Sequence, residues 1–239
     1  MAPNALSRSE QDYLKALYAL TPGGAAAPTS HLARRLAVSA PSVTKMLGRL
    51  AAARLVQHTP RAGARLTREG ERAALSILRR HRILEAVLVR VLGLDWAEAH
   101  DEAEVLEHGV SDRVLAAIDR LIEHPSEDPH GHPIPDANGR LRRRALAPLA
   151  SLGAGASGTV REIRDRDRAR MARWKETGLV PGARVRMRAV RPVDDVFELE
   201  VDGRRMVTGS EGLDGVLIES AAPSRGAARA RGRRHGRHA

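Results

Sequence analysis

The stretch from Thr29 to Thr67 constrains the fold most. Leu32, Ala33 and Leu36 recur at helical spacing, Val38-Ser39-Ala40 makes a tight turn, and Val43, Met46, Leu47 and Leu50 recur again. An apolar period near 3.6 on both sides of a short turn predicts two packed helices. Ser39 is a good N-cap for the second, and Pro41 is tolerated in its first turn. A helix over 7–20, with Tyr13, Leu14, Leu17 and Leu20, precedes the pair. Leu55–His58 and Ala64–Thr67 read as short strands around Thr59–Gly63, a β-hairpin. Three helices closed by a hairpin predict a winged helix-turn-helix. The outer face of the second helix carries Ser39, Pro41, Ser42, Thr44, Lys45 and Arg49. Hydroxyls and cations there suit base edges and phosphates in a major groove, and Arg61 and Arg65 of the hairpin suit phosphates. An ordinary amphipathic hairpin would present the same residues as a solvated face.

Charge supports the DNA reading. The 239 residues carry a formal net charge of +11, which points to an anionic partner, nucleic acid or a membrane surface. No apolar run approaches the ~18 residues needed to span a bilayer, and residues 1–12 lack the apolar core of a secretory signal, so a cytoplasmic location is expected. There is no Cys, which excludes thiolate metal sites, Cys nucleophiles and zinc fingers together. Aromatics are only 2% of the chain, which argues against base stacking on single strands. Residues 221–239 hold six Arg and no Leu, Ile, Val or Phe, and are expected to form a disordered basic tail.

The middle of the chain reads as three amphipathic helices, over 70–93, over 96–109 and from a Ser111 cap onward. Their apolar surface exceeds what one small unit needs, and a symmetric dimer is the natural outlet. In the second, His100, Glu104, Glu107 and His108 share a face at 100° per residue. Two imidazoles and two carboxylates pointing one way suit a divalent metal, although a solvated helix can carry the same pattern. His81 and Glu85 lie one turn apart, a spacing more common in surface pairs. Asp12, early in the first helix, fits a capping or dipole role as well as a ligand role. Six of the ten His residues lie between positions 81 and 132, which favours metal. Residues 124–148 are rich in Pro, His and Gly. Beyond them, alternating strands around the Asp202-Gly203 turn signal predict a five-strand barrel.

Several motifs together resemble a known family: Arg80-His81-Arg82-x-x-Glu85, Gly93-Leu94-Asp95, His100-Asp101-Glu102-Ala103, Glu107-His108 with Ser111-Asp112, and Pro129-x-Gly131-x-Pro133-Ile134-Pro135. They are similar to the diphtheria toxin repressor family of metal-dependent transcriptional regulators. Gly178-Leu179-x-Pro181-Gly182 resembles the SH3-like (FeoA-like) domain of ferrous-transport accessory proteins. The implied fold class is mainly α with small β. It comprises a winged helix-turn-helix over 1–70, a helical metal-binding and dimerisation domain over 71–138, a linker over 139–148, the barrel over 149–220 and the tail. The resemblance implies a primary metal site of Asp12, Glu104, Glu107 and His108, and a secondary site of His81, Glu85 and His100, extended by Asp128, His130 and Asp165 or Asp167.

Iron-responsive members of the family typically carry Met and Cys where this chain has Asp12 and Glu104. Hard oxygen donors suit Mn²⁺ better than softer or later metals, so the chain resembles the manganese-responsive branch, with Fe²⁺ as the alternative. Lys15 departs from the pattern, because a compact manganese regulator of the family is acidic there. The resemblance implies a non-enzymatic homodimer whose recognition helices sit ~34 Å apart on a palindromic operator in double-stranded DNA. Metal acts as the effector that selects the DNA-competent state. A carboxylate-bridged metalloenzyme would want paired Glu-x-x-His motifs from two helices, which the chain lacks. A metal-independent architectural DNA binder using the Arg tail is the remaining alternative.

Overall fold

The computed structural model describes residues 6–21, 24–59, 61–142, 144–164 and 167–220. The expectations for the 221–239 tail and for Asp165 fall outside them. The chain divides into two compact units, one of residues up to 129 with 133–143, the other of residues 130–132 with 144 onward.

In the first unit, α1 (Arg8–Leu20) opens on a capping box. The Glu10 amide donates to Ser7 Oγ, and the Glu10 carboxylate accepts the Ser7 N–H at 2.9 Å. After α2 (Thr29–Leu36) the chain turns through Ala37 in the left-handed region, φ 52°, into α3 (Ala40–Ala52), capped by Ser39. Leu14, Leu17, Leu32, Val43, Leu47 and Leu50 are fully buried where the three helices meet. Strands β1 (Val56–Thr59) and β2 (Gly63–Leu66) pair antiparallel. Ala27 extends that hairpin through reciprocal backbone bonds with Ala64 of 2.8 and 2.9 Å. Gly63 is required there: its φ is +98°, and a Cβ would stand 2.3 Å from the Ala27 carbonyl oxygen. The winged helix-turn-helix is therefore present.

Helix α4 (Arg68–Arg90) starts at a Thr67 cap and runs 23 residues. Its first half closes the winged core through Ala74 and Ile77. Its second half packs through Ile83, Leu84, Ala86, Val87 and Leu88 with α5 (Trp96–Leu106) and α6 (Asp112–Leu121). One helix thus ties the winged part to the helical part. The helix expected over 96–109 ends at Leu106, with Glu107 as its C-cap. His108 and Gly109 lie in the turn beyond, where Gly109, a poor helix former, lets the chain leave the helical path.

The second unit is a six-stranded antiparallel sheet. The strand order is β3 (Ala147–Pro148), β8 (Val216–Ser220), β4 (Ser157–Ile163), β5 (Arg184–Arg191), β6 (Val196–Val201), β7 (Arg204–Thr208). Val160, Val185, Met187, Leu199, Val201, Val216 and Ile218 fill its buried face. Helix α7 (Arg168–Thr177) adds Met171 and Trp174, whose indole N–H donates to the Gly212 carbonyl at 2.8 Å. The sheet has one strand more than the five expected. The addition, β3, pairs Ala147 with Ile218 over only two residues and is too short to show alternation. No helix among the described residues is long and apolar enough to cross a membrane.

Candidate metal centre

Asp12 and Lys15 come from α1, His81 and Glu85 from α4, and His100 and Glu104 from α5. Glu107 and His108 follow at the end of α5. Asp12, Glu104, Glu107 and His108 each bring one ligand-type atom to within 4.8 Å of the others. His108 is carried into this cluster by the turn rather than by the helix face that the periodicity suggests. Its Nε2 lies 3.5 Å from Asp12 Oδ1 and 3.4 Å from Glu107 Oε1. Its Nδ1 is 3.0 Å from Gln11 Oε1, and Gln11 Nε2 donates to the Leu6 carbonyl at 2.8 Å. Gln11 thus orients the imidazole so that Nε2 faces the carboxylates.

His81, Glu85 and His100 form a second, tighter group. His81 Nε2, Glu85 Oε1 and His100 Nδ1 stand 2.9 to 3.0 Å from one another. The surface-pair expectation for His81 and Glu85 is overturned, since they are 5% and 2% exposed. Glu104 faces both groups: it also meets His81 and His100 within 4.8 Å, with its Oε1 3.7 Å from His100 Nε2. His81 Nδ1 lies 2.7 Å from Glu107 Oε2, so one ring touches a carboxylate of each group.

The electrostatics of both groups are those of cation sites. Burial works against the charged form of His81. The Glu85 charge and hydrogen bonds to Glu107 and Glu85 outweigh it, and the pKa is raised to about 9. Burial pushes the Asp12 carboxyl up, against the pull of His108 and Lys15. For Glu104 burial also pushes up, but the hydrogen bond and charge of Lys15 prevail and hold it low.

Two observations test whether a divalent ion fits. His100 Nε2 and His108 Nε2 are buried with no hydrogen-bond partner among the described residues, a costly state for a polar atom. The 2.9 to 3.0 Å triangle also matches ligands about 2.1 Å from one octahedral ion, which lie about 3 Å apart. The residues present fit a hard divalent cation at each group.

The remaining expected ligands are described within their own units. Asp128, in the first unit, is buried with Arg82 Nε 3.6 Å from its carboxylate. His130 belongs to the second unit, where its carbonyl accepts the Ile163 amide. Asp167 caps α7, accepting the Arg170 amide at 3.0 Å. Sequence reasoning missed Gln11. Its spacing of four residues from Lys15 puts both on the helix face that carries Asp12.

The expected DNA face is open. Ser39, Pro41, Ser42, Thr44, Lys45 and Arg49 of α3 and its cap are all exposed, as are Arg61 and Arg65 of the wing. Some are held by neighbours: Arg49 pairs with Glu10 at 3.0 Å, and Arg65 Nε donates to Gln57 Oε1 at 2.8 Å.

Comparison with known proteins yields three domain matches. Residues 5–64 match the iron dependent repressor N-terminal DNA binding domain, and residues 67–136 match the iron dependent repressor metal binding and dimerisation domain. Residues 147–220 match the FeoA domain. The iron-dependent repressor IdeR of Mycobacterium leprae (strain TN) is 31% identical over 194 residues, covering 76% of this chain and 84% of the relative. The diphtheria toxin repressor of Corynebacterium diphtheriae is 30% identical over 154 residues, covering 64% and 68%. A solved manganese-dependent transcriptional repressor in complex with manganese superposes with a TM-score of 0.81. It is 38% identical and covers 89% of this chain and 100% of that one.

Proposed function

Because the chain belongs to the diphtheria toxin repressor family of metal-dependent transcriptional repressors, we propose that it is a manganese-activated repressor whose effector ion binds Asp12, Glu104, Glu107 and His108. The observation that carries this reading is the convergence of those four ligand atoms, with His108 Nε2 unsatisfied. Three carboxylates and one imidazole form an all O/N set with no sulfur, which suits Mn²⁺. His81, Glu85 and His100 make the secondary site in this reading.

The mechanism follows from which elements supply the ligands. Asp12 is on α1 of the winged part, and the other three lie on or just beyond α5 of the helical part. Asp12 on one side and Glu104, Glu107 and His108 on the other would hold the ion between the two parts and so fix the angle between them. The binding energy would favour one arrangement of the recognition helices, and that differential affinity would be the activation. In the DNA-competent dimer the two α3 helices read half-sites of a palindromic operator about one helical turn apart. Ser39, Pro41, Ser42, Thr44, Lys45 and Arg49 face the major groove, while Arg61 and Arg65 meet phosphates. Leu92, Val105, Leu106, Val114 and Leu121 are large apolar residues left exposed within the stretch that matches a dimerisation domain. A second copy of the chain covers them.

Operator binding titrated with Mn²⁺, Fe²⁺ and Zn²⁺, with and without chelator, tests this reading. Asp12→Ala is expected to abolish metal-stimulated binding while the dimer stays folded. Unchanged Mn²⁺ dependence in that variant would remove Asp12 from the effector site. An iron(II) response is the second reading, favoured by relatives that are named iron-dependent. It predicts activation by Fe²⁺ under anaerobic conditions at lower concentration than by Mn²⁺.

A further inference from the structure

The two carboxylates between α1 and α5 already hold a cation of the chain's own. Lys15 Nζ donates to Glu104 Oε1 at 2.9 Å and to Glu107 Oε1 at 2.6 Å. The lysine side chain is 15% exposed and that of Glu107 is fully buried. Glu107 Oε2 is meanwhile engaged by His81 Nδ1. A carboxylate so buried needs a counter-charge or complete hydrogen bonding, and Lys15 supplies the charge from one turn beyond Asp12. The oxygens it holds also face the two imidazole nitrogens that lack a hydrogen-bond partner among the described residues. Glu107 Oε1 is 3.4 Å from His108 Nε2, and Glu104 Oε1 is 3.7 Å from His100 Nε2. An ammonium and a divalent ion would therefore draw on the same lone pairs.

We propose that Lys15 is a tethered counter-cation that competes with the divalent ion for Glu104 and Glu107 and so sets the metal affinity from inside the site. This rests on the reading of the cluster as the effector site. In the metal-free protein the ammonium keeps the two carboxylates together and ties α1 to α5. Metal entry requires the flexible four-carbon stem to withdraw from both carboxylates. Breaking those two contacts makes Mn²⁺ bind more weakly than the donor set alone would allow.

The test is direct Mn²⁺ titration by calorimetry of chelator-stripped wild type, Lys15→Gln and Lys15→Met, alongside metal-free melting temperatures. Competition predicts Mn²⁺ binding about tenfold or more tighter in both variants, because a like charge beside the ion is removed, together with a lower metal-free melting temperature. A lysine that only supports the fold predicts lower stability with equal or weaker Mn²⁺ binding, and that result overturns the proposal. Wild type gives an independent readout if the variants do not fold. Acetylation of the Lys15 amine by an N-hydroxysuccinimide ester, followed by mass spectrometry, is expected to speed up in saturating Mn²⁺. An unchanged or slower rate overturns the proposal. If Asp12→Ala and His108→Ala bind Mn²⁺ as wild type does, the effector-site reading itself falls, a result distinct from any Lys15 outcome.

Discussion

The metal-free protein is expected to lose stability as pH rises from about 6.5 to about 9, because of one buried histidine. His81 sits between two buried carboxylates, with Nδ1 2.7 Å from Glu107 Oε2 and Nε2 3.0 Å from Glu85 Oε1. Burial alone would drive off its proton, but those partners retain it, and its pKa rises from 6.5 to about 9. The folded state therefore binds this proton more tightly than the unfolded state does. The resulting stabilisation is complete below the unfolded value of 6.5 and is lost as pH climbs through the folded value. At 1.36 kcal/mol per pH unit of difference, the loss is roughly 3 kcal/mol. Urea denaturation of chelator-stripped protein at pH 6, 7, 8 and 9 measures it. The chain has two tryptophans, and a Trp174→Phe background leaves Trp96 of α5 as a reporter in the first unit alone. A midpoint that stays flat from pH 6.5 to 9 would refute the reasoning. So would a fall of the same size in His81→Gln, which has no proton to lose. A metal on His81 requires the imidazole to be neutral. Mn²⁺ affinity at the secondary group is then expected to rise about tenfold per pH unit between 7 and 9, the opposite sign to the stability trend.

Two further outcomes follow from single positions. Gly70→Ala is expected to cost about 3 kcal/mol in a thermal melt, since a Cβ there, fixed in place by the helix backbone, would lie 1.9 Å from the Leu55 carbonyl oxygen, itself a backbone atom; a melt within error of wild type would mean that the α4 start can shift freely against the hairpin. Glu104→Cys replaces a hard oxygen with a soft thiolate and is expected to move the metal preference of operator binding from Mn²⁺ toward Fe²⁺ and Zn²⁺. An unaltered order of metals would show that position 104 does not set selectivity.

What could be read from the sequence was whatever depended on short-range pattern. The caps at Ser39 and Ser111 are local hydrogen bonds between residues three apart, and each begins a helix as its spacing suggests. The apolar period of α2 and α3 and the hairpin after them sufficed for the winged fold. The two-residue strand β3 escaped because its pairing with β8 is long-range and leaves no alternation in the chain. The end of α5 illustrates the same limit at the metal centre. Helical geometry put His100, Glu104, Glu107 and His108 on one face, but the chain leaves the helix at Glu107. His108 then turns to Asp12 and Gln11, and His100 turns to His81 and Glu85.

The least legible features join the two groups. Lys15 reaches Glu104 and Glu107 across 89 and 92 residues, and His81 reaches Glu107 across 26. No local period encodes those contacts. They nevertheless decide how the centre behaves, because Glu107 is shared: one oxygen serves the α1 side through Lys15, and the other supports His81. An ion that drew on Glu107 from the α1 side would change the field at His81, and an ion held by His81 would strengthen the hydrogen bond between His81 and Glu107. Occupancy of one group should therefore alter the affinity of the other by the same factor in both directions, with the Glu107 carboxylate as the physical link.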